Sequence, residues 1–484
     1  MARLAQISDG SGRELFPVQK EWLSWFEQQT SRIVASQLPP GTGKSLLVRT
    51  LQRAYGATVV TPSNLLVNQY AGTYPDVNVL KGQAHYECST HSMSCGEVRA
   101  LGNKPCEGCP YRTSRRAALE GAPTFYNPIS LYNLAKDSDF ERPPVTVVDE
   151  AHQLLSTLLL VAGESFPATE YRLPTSTHAS DVVSWLREQQ GKVTRVEGFR
   201  DTQRDGQRAV RVLRARLKLE RTIECLEADP ANYVIAFANE LQRDRTKVRT
   251  LKVLPLLPPR HLIDQVLGTG RIVLLSATLS RFDSNLLAQG AQFAYLDAPS
   301  PIPYRQRQIL YRPGHFPDEM SLLDHIEALH REFGGPTLVH VTYALSERLR
   351  GLPGHHLRNT AENKEAIVRK FKEEGGVFWA SGCAEGLDLP DGQCRLNIIP
   401  VLPRPNIGDP AVMKWMAQPG GSKRYDLETL KIFQQQVGRS TRHVNDWSIT
   451  VCCDPRLPQL IDRNRSDISN SFHESIRWTG RRTP

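Results

Sequence analysis

The sequence has no apolar run approaching the roughly eighteen residues a membrane helix needs, so no transmembrane segment is expected. Residues Met1 to Gly12 are polar and lack the apolar core of a signal peptide, which makes the cytoplasm the expected compartment. No internal repeat and no low-complexity tract is present, so neither a repeat array nor a biased tail is expected. No nuclease domain is expected, since few residues precede Gln19. A net acidic balance is missing too. Sixty Lys and Arg against 51 Asp and Glu give a formal charge of +9, which favours a polyanionic partner, most simply nucleic acid. Nine cysteines in a cytoplasmic chain do not argue for a disulfide framework. Four of them fall between Cys88 and Cys109, while Cys225, Cys383, Cys394, Cys452 and Cys453 are scattered.

What is present is an ordinary globular composition, 40% hydrophobic and 23% charged, over 484 residues, enough for two or three domains. The chain is organised around Pro39-Pro40-Gly41-Thr42-Gly43-Lys44-Ser45, which follows a short apolar run and opens a helical segment. Strand, glycine loop, Lys-Ser and helix is the order a phosphate-binding loop needs: backbone N–H groups turn inward and the helix N-terminus adds partial positive charge. Lys44 would reach the β- and γ-phosphates of a nucleotide and Ser45 would hold Mg²⁺. The strict pattern asks for a further glycine where Leu38 stands.

Alternating apolar runs and helical stretches predict α/β architecture with two consecutive, mainly parallel sheets. Strands are expected at Thr58–Thr61, Val145–Val148, Arg271–Leu275, Thr337–Val341, Val377–Ala380, Leu396–Val401 and Ser448–Cys452. The seam between the halves is expected near Leu279–Pro303, where Pro299, Pro301 and Pro303 cluster. The buried run Val145–Val148 stops at Asp149-Glu150-Ala151-His152, and carboxylates at such a strand end are where open α/β sheets place their chemistry. Asp149 is placed to coordinate Mg²⁺ beside Ser45, Glu150 to act as general base on the attacking water, and His152 to lie near the γ-phosphate.

Val148-Asp149-Glu150-Ala151-His152 resembles the DEAH box of superfamily 2 helicases, and Pro39–Ser45 resembles that superfamily's phosphate loop, in which the first glycine is commonly missing. Further segments follow in the same order. Gln19, after Phe16-Pro17, resembles the adenine-end glutamine, Thr61-Pro62-Ser63-Asn64 the strand-contacting motif Ia, and Ser276-Ala277-Thr278-Leu279 motif III. Glu385-Gly386-Leu387-Asp388 is similar to motif V, which implicates Asp388 at the nucleotide. Gln435-Gln436-Val437-Gly438-Arg439-Ser440-Thr441-Arg442 matches Q-x-x-G-R-x-x-R, motif VI. Asp454-Pro455-Arg456 closes a strand as in the DinG-like branch. The resemblance implies two RecA-like motor domains with ATP and Mg²⁺ between them, and adds Gln435, Arg439 and Arg442 to the catalytic set of Lys44, Asp149 and Glu150. Guanidinium groups there would stabilise the charge on a transferring phosphoryl group, an effect on the order of 10³- to 10⁵-fold in rate. Arg439 and Arg442 stand one helical turn apart in spacing, so both are expected to face one cleft.

Cys88, Cys95, Cys106 and Cys109 have the spacing C-x6-C-x10-C-x2-C within a stretch poor in core-forming residues, which suggests a metal-organised subdomain. By spacing alone an iron–sulfur cluster, a zinc ion and reduced structural thiols all remain open. The flanks Lys81-Gly82-Gln83-Ala84-His85-Tyr86-Glu87-Cys88 and Cys109-Pro110-Tyr111 resemble the ends of the iron–sulfur domain of XPD and DinG-like helicases, which implies a 4Fe–4S cluster serving as a rigid wedge. That family also carries a helical arch after the DEAH box. Here Arg204, Arg208, Arg211, Arg214, Lys218 and Arg221 recur at helical steps, either tracking phosphates of a single strand or forming a solvated face. Trp379, Tyr343 and Tyr304 are candidate base-stacking aromatics. The C-terminal stretch from Arg463 is expected to be either disordered or a short packing helix.

The expected division is motor domain 1 in three parts (1–80, 129–170 and 249–285), interrupted by the iron–sulfur insertion (81–128) and the arch (171–248), followed by motor domain 2 (286–484). The resemblance implies a monomeric ATP-dependent DNA helicase, more similar to DinG than to XPD. It would translocate 5′ to 3′ on single-stranded DNA and act at duplex junctions, with RNA–DNA hybrids as further substrates. An RNA helicase and a DNA-stimulated ATPase clamp without strong unwinding are the alternatives.

Overall fold

The computed structural model describes residues 14–104, 106–193, 203–241, 246–316, 318–349, 351–358, 364–382, 387 and 389–478. Two seven-stranded sheets, parallel throughout, carry the fold. The first runs in the order Phe293–Asp297, Ile33–Gln37, Arg271–Ser276, Val145–Asp149, Thr58–Val60, Thr124–Tyr126, Asn78–Leu80. Its central strands are buried along almost their whole length because helices cover both faces, as a parallel sheet requires. One face packs Trp22, Leu23, Phe26, Leu47 and Leu51 from the helices Pro17–Gln28 and Lys44–Tyr55; the other packs Leu131, Leu154, Leu158 and Leu262.

The second sheet runs His355–Arg358, Val377–Ser381, Thr337–Val341, Leu396–Ile399, Ser448–Cys452, Arg307–Tyr311, Ile476–Trp478. The two sheets are RecA-like in their layering, an α/β architecture with parallel strands and flanking helices. Ile476–Trp478 was not foreseen as a strand. It supplies the outer edge of the sheet, and its Trp478 packs edge-on to Tyr311 with ring centroids 5.4 Å apart.

Several expected boundaries move. Strand Phe293–Asp297 pairs with Ile33–Gln37, so the first sheet extends past 285, and the chain crosses over within the proline cluster that follows. Strand Thr124–Tyr126 is also part of that sheet rather than of the cysteine insertion, because it pairs with both Asn78–Leu80 and Thr58–Val60. The insertion is therefore an enlarged crossover between adjacent parallel strands, with Pro110–Leu119 as its crossover helix. The region expected as a helical arch is only half helical. Helices Ala179–Val193 and Gln203–Ala228 are followed by the hairpin Tyr233–Leu241 and Lys247–Pro255, which with Glu164–Pro167 forms a three-stranded antiparallel sheet. No helix of the described residues is long and apolar enough to cross a membrane.

Candidate nucleotide site and cysteine cradle

Leu38 explains the missing first glycine. Its side chain is fully buried and its N–H donates to Ser276 O at 2.7 Å, so this position continues the sheet and the turn begins only afterwards. Gly41 and Gly43 then adopt left-handed φ of +83° and +70°, which glycine tolerates without strain. Gly43 caps the helix Lys44–Tyr55. A Cβ at Gly43 would lie 2.3 Å from Gln19 Nε2, so the glycine also admits that side chain. Gln19 is fully buried. Its amide donates to Thr42 O at 2.9 Å and to Gly43 O at 3.1 Å, and its Oε1 accepts from Phe16 N–H at 2.7 Å. These bonds brace the loop. Thr42 is braced likewise, its hydroxyl donating to Pro39 O at 2.8 Å. Ser45, on the first turn of the helix, is exposed.

The sheet register brings the acidic pair to this loop. Asp149 ends its strand opposite Leu275, one residue before Ser276, and Gln37 stands opposite Ser276. Glu150 has φ +49°, a costly conformation for a residue with a side chain, and it turns the carboxylate back to Lys44, 3.3 Å away. Its other oxygen accepts from Ser276 Oγ at 3.2 Å, and Ser276 Oγ lies 2.6 Å from His152 Nδ1. Burial would raise the Glu150 carboxyl, but Lys44 and His152 more than offset it and hold it well below the usual range. Asp149 moves the other way. Burial and the neighbouring Glu150 push it up to about 6. A divalent cation between Ser45 and Asp149 would remove that penalty, so the donor set fits Mg²⁺.

The second domain closes on the loop. Helix Gly421–Val437 carries Gln435, which is buried in the last turn. Arg439 and Arg442 stand beyond the helix end, on the turn that follows, and not on a continuous helix as their spacing suggested. They nevertheless converge: Arg439 donates to Leu387 O at 3.2 Å and Arg442 to the same oxygen at 3.3 Å. A Cβ at Gly438 would lie 3.8 Å from Pro40 Cγ, so the arginine turn abuts the phosphate loop of the first domain. The expected Asp388, with Glu385 and Gly386, lies outside the described residues. The sequence reading missed Tyr70, which donates to Asp149 Oδ2 at 2.8 Å. It also missed Asp446, whose buried carboxylate accepts from Arg442 N–H at 3.0 Å and from Arg395 at 2.9 Å. Neither belongs to a motif, and only the fold brings each to its partner. Trp379 is a core residue that donates to Pro353 O at 3.2 Å, while Tyr304 and Tyr343 are exposed.

All four cysteines of the insertion line one cavity of about 470 Å³, together with Gln83, Arg99, Asn103, Tyr111, Arg112 and Arg115 among others. Tyr86 anchors this lobe to the sheet, its hydroxyl donating to Val79 O at 2.8 Å and accepting from Lys81 N–H at 3.1 Å. Cys95 opens one short helix and Cys109 caps the next, with their sulfurs 3.8 Å apart. Burial, then Cys109, raises the Cys95 thiol to about 12. Burial would also raise Cys88, but bonds from Thr90 and His91 reverse this and lower it to about 6. A single zinc would gather four sulfurs to about 3.8 Å from one another, given tetrahedral bonds of about 2.3 Å. Here no three of the four come within 4.8 Å of each other among the described residues. Four thiols lining one cavity are a donor set that fits a bound metal group.

Helix Gln203–Ala228 leans on this lobe: a Cβ at Gly206 would meet Glu97 Cβ at 3.1 Å and Met93 Sδ at 3.4 Å. Arg204, Arg208, Arg211, Arg214 and Lys218 are exposed along it, and Arg214 is close enough to depress His85 after burial has already done so.

Residues 337–475 match the helicase C-terminal domain family. In fold the chain is similar to a solved XPD helicase at 13% identity, with 96% of this chain and 100% of that one covered and a TM-score of 0.64. It is also similar to the S. tokodaii Xpd4 structure, at 15% identity over 96% and 99% of the two chains with a TM-score of 0.54. A regulator of telomere elongation helicase 1 homolog from Drosophila ananassae is 29% identical over 108 residues, which are 19% of this chain and 11% of that relative's length. A Drosophila virilis counterpart is 28% identical over 111 residues, again 11% of its length. Residues 337–475 are thus similar to a helicase C-terminal domain, and the likeness to the XPD structures is one of fold.

Proposed function

We propose that the chain is an ATP-dependent DNA helicase of the iron–sulfur kind, in its DinG-like branch, moving 5′ to 3′ on single-stranded DNA and separating duplexes at a junction. The observation that carries the reading is the apposition of the arginine turn and the phosphate loop, Gly438 against Pro40, across two parallel-sheet domains. Catalysis then needs little beyond placement and charge. Lys44 would leave Glu150 for the β- and γ-phosphates, freeing the carboxylate to orient and deprotonate the attacking water. Arg439 and Arg442 would exchange Leu387 O for the γ-phosphoryl oxygens and stabilise their charge in the transition state. Mg²⁺, held by Ser45 and Asp149, neutralises phosphate charge when bound. Asp388 joins this set by resemblance, and Gln19 serves it by fixing the loop.

Cys88, Cys95, Cys106 and Cys109 would hold a 4Fe–4S cluster, which contributes rigidity rather than redox chemistry, since this lobe is poor in core of its own. The exposed arginines of Gln203–Ala228 run from this wedge toward the hairpin and would follow the phosphates of the tracking strand. The cysteine lobe favours DNA over the RNA helicase alternative. A monomer working in the cytoplasm is sufficient for this activity.

Strand displacement tests the proposal, using substrates with a 5′ or a 3′ overhang and with DNA or RNA as the tracking strand. Unwinding from 5′ DNA overhangs, dependent on ATP, is expected. Unwinding only from 3′ overhangs, or only along RNA, refutes it, and ATP hydrolysis without any displacement favours the clamp.

A further inference from the structure

Tyr70 lies on the helix Asn64–Thr73, two turns from the Thr61-Pro62-Ser63-Asn64 segment at its start. It is 3% exposed, and its ring stacks on Phe125 with centroids 4.5 Å apart. Phenylalanine would make the same ring contact, so packing alone does not call for the hydroxyl. A buried hydroxyl needs a partner, and this one donates to Asp149 Oδ2 at 2.8 Å. The other Asp149 oxygen, Oδ1, accepts from Glu150 N–H at 2.9 Å. With one donor on each oxygen, the carboxylate cannot rotate without losing a bond.

We propose that Tyr70 is a positioning residue that holds the Asp149 carboxylate in the orientation that receives nucleotide-bound Mg²⁺, and that it ties this carboxylate to the start of its own helix, which resembles a strand-contacting motif. The inference rests on the ATP-site reading above. Ser63 caps that helix, accepting from Leu66 N–H at 3.3 Å, and Asn64 Oδ1 accepts from Asn127 at 2.7 Å. A strand bound at residues 61–64 therefore acts on a short, capped rod whose far end touches Asp149.

The experiment compares wild type, Tyr70→Phe and Asp149→Asn by fluorescence anisotropy of an N-methylanthraniloyl adenine nucleotide, with Mg²⁺ or with EDTA, and with or without a single-stranded oligodeoxynucleotide. Tyr70→Phe should weaken binding about ten-fold in Mg²⁺, the scale of one hydrogen bond to a charged acceptor. Binding in EDTA should stay unchanged, and the melting temperature should fall by only a few degrees. The oligonucleotide should tighten Mg²⁺-nucleotide binding in wild type and not in Tyr70→Phe. Equal weakening in Mg²⁺ and EDTA overturns the proposal and leaves Tyr70 as packing. Wild-type behaviour of Tyr70→Phe while Asp149→Asn loses the Mg²⁺ effect overturns it and leaves the ATP site standing. A wild type with no Mg²⁺-dependent nucleotide binding overturns both.

Discussion

Lys431, its side chain 12% exposed, joins the two domains through the helix leading to the arginine turn, and replacing it by Met tests that joint. Its Nζ lies 2.9 Å from Asp283 Oδ1 and 3.2 Å from both oxygens of Glu428. Asp283, on the helix Arg281–Leu287 of the first domain, is 1% exposed. Burial would depress the Lys431 ammonium, but Asp283 and Glu428 more than reverse this, so the ammonium stays charged at any physiological pH. Lys431→Met leaves a buried carboxylate beside Arg424, and breaking a buried pair from one side costs about 3–5 kcal/mol. The cost has an escape route, however. Lys431 and Asp283 sit on different domains, so parting the domains rehydrates the carboxylate without unfolding either. The loss should therefore appear as weakened interdomain closure. Fluorophores placed on the two domains should separate at a lower denaturant concentration than the one that removes far-ultraviolet ellipticity, whereas wild type shows both together. The double substitution Lys431→Met with Asp283→Leu should recover most of the loss, giving a coupling energy of at least about 2 kcal/mol. Single-substitution costs below about 1 kcal/mol that simply add are the exposed-pair result, and would refute the reasoning.

Other outcomes follow from the same geometry. Lys44→Ala should abolish ATP hydrolysis while leaving the melting temperature within a few degrees, because the side chain reaches into the phosphate site and not into the apolar core; a steady-state phosphate-release assay checks this. Arg439→Ala should lower kcat by on the order of 10³-fold with nucleotide affinity largely kept, since its guanidinium acts on charge that develops in the transition state; equal losses in affinity and kcat argue against that role. Cys88→Ser or Cys109→Ser should remove iron and visible absorbance and abolish strand displacement more than basal ATP hydrolysis; an iron-free variant unwinding at the wild-type rate contradicts the wedge. Asp446→Ala should lower kcat through Arg442, whose N–H it holds, and Asp446→Asn, which keeps an acceptor for that N–H, should restore part of it.

The sequence makes the order of the elements legible because their signals are local. Glycine loop, strand-end carboxylates and Q-x-x-G-R-x-x-R are each short runs whose chemistry dictates neighbouring residue types. Short strands toward the sheet margins were less legible. Asn78–Leu80, Thr124–Tyr126 and Ile476–Trp478 have three residues each, too few for any period to declare itself, and only their pairing partners make them strands. The hairpin Tyr233–Leu241 with Lys247–Pro255 was hidden differently: its alternation sits within a charged stretch that helical spacing had already claimed. Within the site, Lys44, Asp149 and Glu150 could be named from their motifs. The use of Gln19 beneath the loop and the presence of Tyr70 on Asp149 depend on how helices cross the sheet, which no spacing encodes.

Register is what turns those separate motifs into one site. In the first sheet Gln37 aligns with Ser276, and Asp149 with Leu275, so the phosphate loop, the acidic pair and the Ser276 turn all leave the sheet within one residue of the same level. A slip of one residue in the strand Val145–Asp149 would invert its faces, burying Thr146 and Val148 where Val147 now packs and aiming Glu150 away from Lys44. The alternation of Val147 into one core and Val148 into the other resists such a slip. Leu38 adds a second lock, since its side chain fills the core and its N–H holds Ser276 O at the point where the chain must leave the strand. The position at which a glycine was missing is thus the one that sets the height of the phosphate loop against Glu150. Leu38→Gly should lower stability by about 2–5 kcal/mol through the lost core side chain, and should lower kcat further than that instability alone explains. Denaturant midpoints and single-turnover hydrolysis on the folded fraction separate the two effects, and a kcat equal to wild type in that fraction would show that Leu38 serves packing only.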